Sequence, residues 1–177
     1  MTCRRILTYP NSSLAKKALH VSEDEFGTGV RSIAQDLIDT LEVKGGVGLA
    51  APQVGISKRV AIIKTDVEGW YNFENPTPCD LNKSYLVMVN PTLKPYGDEI
   101  RWQEACLSVP GYSGTVTRSE GLSVEYFDVD GNKHHFDAPW PASGAIQHEC
   151  DHLEGILYLR RLNWYSRQAI EKKIKKK

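Results

Sequence analysis

Between residues 29 and 43, apolar side chains fall at Val30, Ile33, Ala34, Leu37, Ile38 and Leu41, with polar residues between them. This is the spacing of one helix face. It predicts an amphipathic helix that ends at Gly45-Gly46. The pattern then changes period. Residues 59–64 (RVAIIK) and 85–90 (YLVMVN) are short runs rich in apolar and β-branched residues, as strands are. Residues 122–129 (LSVEYFDV) alternate well enough for a strand, Asp130-Gly131 turns the chain, and residues 133–136 return as the hairpin partner. Residues 142–154 form a further helical stretch, with Gly155 as its stop. Asn163 is placed to cap a short last helix carrying Tyr165, Ala169 and Ile170. The polar residues 68–83, with Pro76 and Pro78, predict a surface loop. Strands and helices are segregated, so the expected class is α+β with a largely antiparallel sheet.

Composition narrows the function classes. A chain of 177 residues suits one domain, 1–177, with a real core. A net charge of zero and 41% hydrophobic residues exclude the basic excess of a nucleic-acid binder. No apolar run approaches the ~20 residues needed to span a membrane. The first residues lack the apolar core of a signal peptide, so a cytoplasmic location is expected. Four cysteines, Cys3, Cys79, Cys106 and Cys150, are too few and too scattered for a disulfide framework.

The chemistry concentrates in Gln147-His148-Glu149-Cys150-Asp151-His152. Two histidines four apart share a helix face and can grip one divalent metal, and the glutamate beside them can act on a water. A catalytic metal needs a third protein ligand and an open position. In zincins that ligand lies downstream. Here no histidine follows His152, and Glu154 and Glu171 are poorly placed. Upstream, residues 104–111 (EACLSVPG) offer Cys106 in a loop-like setting, and a thiolate suits Zn(II) or Fe(II). Cys150 is rotated about 200° from either histidine on a helix, which sends it to the core. Two other readings stay open: a zincin-type protease, which would bind metal without Cys106, and a structural metal module, which would need a fourth protein ligand.

With these pieces together, the chain resembles the peptide deformylase family, marked by GxGLAAxQ, EGCLS and QHExDH. Here the segments stand as Gly46-Val47-Gly48-Leu49-Ala50-Ala51-Pro52-Gln53, Glu104-Ala105-Cys106-Leu107-Ser108 and 147–152. The resemblance implies a compact deformylase fold, with antiparallel strands around a central HExxH helix. It implies hydrolytic removal of the formyl group from the formyl-methionine of nascent polypeptides, releasing formate. Cys106, His148 and His152 would hold the metal, with Fe(II) the expected native ion and Zn(II), Ni(II) or Co(II) able to replace it.

Roles follow from the chemistry of that reaction. Glu149 would serve as general base and then general acid, because an amide nitrogen leaves badly unprotonated. The side-chain amide of Gln53 and the backbone N–H of Leu107 would stabilise the oxyanion. Gly46 and Gly48 would let a substrate backbone approach, like an added strand. Val47, Gly48, Glu104, Ala105 and Ala145 are the substrate-binding candidates, with Trp102 and Tyr112 as possible framing. Glu104 could instead orient a ligand, and Asp151 suits an ion pair with Arg118.

There are departures. Ala105 replaces the family's usual glycine, and a methyl there disfavours positive φ. Ser113 stands where relatives often have arginine, and Gly144 and Ala145 are small, which predicts a roomier, less charged pocket. His20, His134 and His135 are expected on the surface. The basic residues 172–177 are expected either to be a solvated helix end or to touch the ribosome, whose RNA attracts lysine. The chain is expected to be a monomer.

Overall fold

The computed structural model describes residues 2–68 and 81–176. Most of the expected polar loop, and Cys79 with it, lies outside the described residues. The elements run α1 (Thr28–Lys44), β1 (Gly48–Ala50), β2 (Val60–Lys64), β3 (Tyr85–Ala105), β4 (Ser113–Phe127), β5 (Lys133–Ala138), α2 (Ala142–Leu153) and α3 (Trp164–Ile174). The strands form one antiparallel sheet in the order β1-β2-β3-β4-β5.

The two apolar runs are central strands covered on both faces. Along β2, Val60 and Ile62 face α1 and its Val30, Ala34, Leu37, Ile38 and Leu41. Ala61 and Ile63 face the other way, toward Ala145, Ile146, Cys150 and Leu153 of α2. The same alternation in β3 sends Tyr85, Val87 and Val89 to the first side and Leu86 and Met88 to the second. The sheet is thus held between α1 and α2, which is why these runs carry no polar face. A third cluster lies at the far end of the sheet, where Cys106, Val109 and Val116 meet Leu157, Tyr158, Leu159, Leu162 and Ile170.

Two strands are much longer than their apolar patterns. β3 continues past Asn90 through two prolines, with register shifts between Val89 and Thr92 and between Tyr96 and Glu99. Asn90 adopts a positive φ of 51°. Its side chain exchanges two hydrogen bonds with the backbone of Val21, both 2.9 Å. The first shift absorbs Pro91, whereas Pro95 keeps its place opposite Leu122 and the second shift falls at Gly97-Asp98. β4 begins at Ser113, so β3 and β4 pair from Val89↔Phe127 to Ala105↔Ser113. This corrects the loop-like reading of residues 104–111: Glu104 and Ala105 are strand, and Cys106 is the first residue beyond it. Ala105 has no positive φ; it pairs in the ladder with Ser113, so its methyl meets no left-handed backbone.

The helix expectations fare well. α1 and α2 lie within a residue of their expected bounds, and Gly155 follows α2 with φ 71°. Asn163 Oδ1 accepts from Ser166 N at 2.9 Å and caps the eleven-residue α3. Cys150 is buried among the residues between α2 and the sheet. Among the described residues, no helix is long and apolar enough to cross a membrane.

Candidate metal centre

α2 is buried along nearly its whole length, so its polar residues sit in the interior and need partners. His148 and His152 project from one face, their ring centroids 5.0 Å apart. The end of β3 brings Cys106 to them. Ligand atoms from Cys106, His148 and His152 all lie within 4.8 Å of one another, and Cys106 Sγ is 3.3 Å from His152 Nε2. Bonds of roughly 2.0–2.3 Å to a shared ion require ligand atoms that close.

The donor chemistry fits a divalent ion. His148 Nδ1 donates to Glu104 Oε2 at 2.7 Å, which fixes the proton on that nitrogen and leaves Nε2 for an ion. Burial holds the His152 imidazole well below its usual range, and the neighbouring His148 adds to the effect, so this ring is neutral as a ligand must be. For His148, burial disfavours the charged form, but hydrogen bonds to Cys106 and Glu104 prevail and raise its pKa.

Glu104 is held by a dense set of hydrogen bonds. Both its oxygens are occupied, by Arg118 Nε (2.7 Å) and Trp102 Nε1 (2.9 Å) at Oε1, and by Arg118 Nη2 (3.0 Å) and His148 at Oε2. Burial works against its ionisation, yet the bonds from His148 and Arg118 prevail and hold its pKa at about 2. Arg118 also donates to Asp151 Oδ2 at 2.7 Å, the ion pair expected from sequence.

Glu149 lies next to the ligands and is held differently. Burial pushes its carboxyl up to about 7. Its Oε2 is buried and has no hydrogen-bond partner among the described residues. Its seat explains Gly48: a Cβ there would lie 2.7 Å from Glu149 Oε1 and 2.8 Å from its Cγ. The glycine makes room for the carboxylate, a contact that the motif spacing alone does not reveal. Gln53 is fixed from one end, its Oε1 accepting from Ala50 N at 2.9 Å. Its Nε2 points to Cys106 Sγ (3.5 Å) and Ser108 Oγ (3.2 Å). Ser108, fully buried, also donates its N–H to Cys106 Sγ at 3.4 Å. It was visible as a motif residue but carried no assigned role.

These groups open on a cleft of about 230 Å³ whose lining includes Val47, Gly48, Gln53, Leu107, Ala145 and Glu149. Glu104 and Ala105 also border it. Trp102 lines the cleft, but Tyr112 does not; it packs with the third cluster. Gly144 does not enlarge the pocket as its size suggested. A Cβ there would meet Trp140 Cζ3 at 2.9 Å and Trp102 Cζ2 at 3.0 Å, so two indoles fill that space. A larger groove of about 560 Å³ lies behind α2, and none of the three convergent ligands lines it. His134 is more than a surface residue, since its Nε2 bonds Asp128 at 2.8 Å and its ring stacks on Tyr126.

A buried Cys-His-His cluster, with a carboxylate beside it and an open cleft in front, defines a metallohydrolase of the HExxH type. The sequence profile of the polypeptide deformylase family matches residues 3–168. A peptide deformylase of Endomicrobium trichonymphae is 37% identical, over 98% of this chain and 94% of that one. One from Thermodesulfovibrio yellowstonii is 33% identical, covering 100% and 99%. Among solved structures, the peptide deformylase of Ehrlichia chaffeensis in complex with actinonin superposes with a TM-score of 0.86 at 29% identity, covering 99% of this chain and 98% of that one. The chain belongs to the polypeptide deformylase family.

Proposed function

We propose that this chain, acting as one catalytic domain, hydrolyses the N-formyl group from the formyl-methionine of nascent polypeptides and releases formate. One observation carries the reading: Cys106, His148 and His152 converge beside a buried carboxylate, Glu149, whose Oε2 lacks a partner among the described residues and which borders the cleft.

Cys106 Sγ, His148 Nε2 and His152 Nε2 would hold the ion. Bound there, a divalent metal supplies Lewis acidity that polarises a carbonyl and brings the pKa of a water toward ~7. We assign Fe(II) as the native ion, with Zn(II), Ni(II) or Co(II) as replacements, because a thiolate with two imidazoles accepts each of them. Glu149 takes a proton from the attacking water and delivers it to the departing amine. Its raised pKa, about 7, suits both transfers near neutrality. Gln53 Nε2 and the backbone N–H of Leu107 serve the developing oxyanion. Val47 and Ala145 offer an apolar wall to the methionine side chain, and Gly48 and Ala105 border the substrate backbone. Glu104 acts through His148 and not on the substrate.

The test is anaerobic reconstitution with Fe(II), followed by assay of formate release from a formyl-Met peptide. Glu149→Gln should keep metal and lose turnover by 10² or more. Cys106→Ala should lose metal. Absence of formate from the intact metal protein sinks the activity, and full metal retention in Cys106→Ala favours a zincin-type site.

We further place the enzyme in the cytoplasm as a monomer, which sedimentation of the purified chain would check. The exposed lysines of α3 and its end, Lys172, Lys173, Lys175 and Lys176, would meet ribosomal RNA. Deleting residues 172–177 should then weaken ribosome binding, and unchanged affinity would remove that role.

A further inference from the structure

The single helical turn Tyr158–Arg161 lies outside all three motifs, yet it touches the centre from two sides. The buried Tyr158 ring lies against His148, centroids 6.4 Å apart and 25° from parallel, and its hydroxyl donates to Tyr112 O at 3.0 Å. Three residues on, Arg161 grips Asp151 with both arms of its guanidinium. Nε donates to Oδ2 and Nη2 to Oδ1, each at 2.5 Å. Asp151 Oδ2 also accepts from Arg118, Arg118 clamps Glu104, and Glu104 holds His148 Nδ1. An unbroken run of charged groups therefore leads from a side chain 40% exposed to a buried imidazole.

The charges explain why the run needs its outer end. Arg118 is nearly inaccessible and sits between two buried carboxylates, Glu104 and Asp151. One guanidinium cannot neutralise both, and an uncompensated buried charge is costly. Arg161 supplies the second cation. Without it, Asp151 draws on Arg118 alone, and Arg118 gives up part of its hold on Glu104. Glu104 is the group that sets the proton and the aim of His148. The two-pronged contact needs a planar fork, which lysine lacks.

We propose that Arg161 is a positioning residue of the metal centre: through Asp151, Arg118 and Glu104 it holds the His148 ring in its ligating orientation and so sets how tightly the ion is bound. This rests on the ligand assignment above.

The metal-free protein is titrated anaerobically with Co(II), following the thiolate-to-cobalt absorption, and the loaded protein is then challenged with a chelator. The parent should take one equivalent, and Cys106→Ser should abolish the band. Arg161→Gln should weaken Co(II) binding by about tenfold or more and speed its loss, in line with the usual cost of removing groups behind a ligand. Arg161→Lys should fall between Arg161→Gln and the parent. Arg167→Ala breaks the Arg167–Glu171 pair on α3, which shares no hydrogen bond with this run, and should leave affinity within twofold. The inference is overturned if Arg161→Gln binds as the parent does. It is also overturned if all the arginine variants lose affinity only in proportion to their fall in Tm, since that marks a structural role. If Cys106→Ser keeps the ion while Arg161→Gln still loosens it, the cysteine assignment fails and the role of Arg161 stands. If the parent binds no Co(II), both fall together.

Discussion

Gly48 shows how a single hydrogen decides a site. Its Cα faces the Glu149 carboxylate so closely that a methyl cannot fit without moving it. Gly48→Ala should therefore retain metal and fold, but lose turnover by about 10–10²-fold, because a misplacement near 1 Å is that costly at a reacting centre. The change should appear in kcat and little in KM; activity within twofold of the parent would separate Gly48 from Glu149. The sequence singles out this glycine, but its contact with Glu149 is not legible there, since that partner lies on a helix a hundred residues away along the chain. Arg161 was less visible still. It belongs to no motif, and its meaning depends on Asp151 and Arg118 being brought to it by three separate elements. By contrast, the pairing of His148 with His152 was legible because helical period alone fixes it. Cys106 was legible by chemistry, as a thiol in a setting that lacked another third ligand.

At the scale of elements, α1 and α2 could be read from the chain because period and caps are local properties. β3 could not be read beyond its apolar half. Its continuation (NPTLKPYGDEI) has two prolines and a glycine, which argue against a strand until β4 supplies the partner and bulges accommodate the breaks. The β4–β5 hairpin was read nearly whole, and its turn carries a pH prediction. Burial opposes ionisation of Asp128, but hydrogen bonds from His134 and Asn132, and then the turn's backbone N–H groups, hold its pKa below the usual value. A depressed carboxyl pKa gives stability that is present above the unfolded value near ~4 and lost as pH falls through the folded one. Acid unfolding should therefore lose one component of its pH dependence in Asp128→Asn. Identical acid profiles below pH ~4 would show that the turn contributes nothing.

For the whole molecule, the centre is a product of the complete fold. Cys106 and His152 are 46 residues apart in the chain, and only the β3–β4 ladder and the packing of α2 bring them within bonding distance of one ion. An ion bound this way stabilises the folded state and not the unfolded one. At a hundredfold excess over Kd that amounts to about 2.7 kcal/mol. For a chain of this size, stripping the metal should lower Tm by about 5–10 °C. An unchanged Tm would place the ion outside the folded site.

The indoles packed over Gly144 carry a consequence for detection. Trp102 and Trp140 meet edge to face, 4.8 Å between centroids, and Trp102 Nε1 is bonded to the same Glu104 that holds His148. Their emission therefore arises beside the centre. Ions with partly filled d shells quench nearby excited indoles, whereas Zn(II), with a closed shell, does not. Loading with Fe(II) or Co(II) should dim this pair, and Zn(II) should leave it bright. The protein thus carries its own optical signal that separates an open-shell ion from Zn(II).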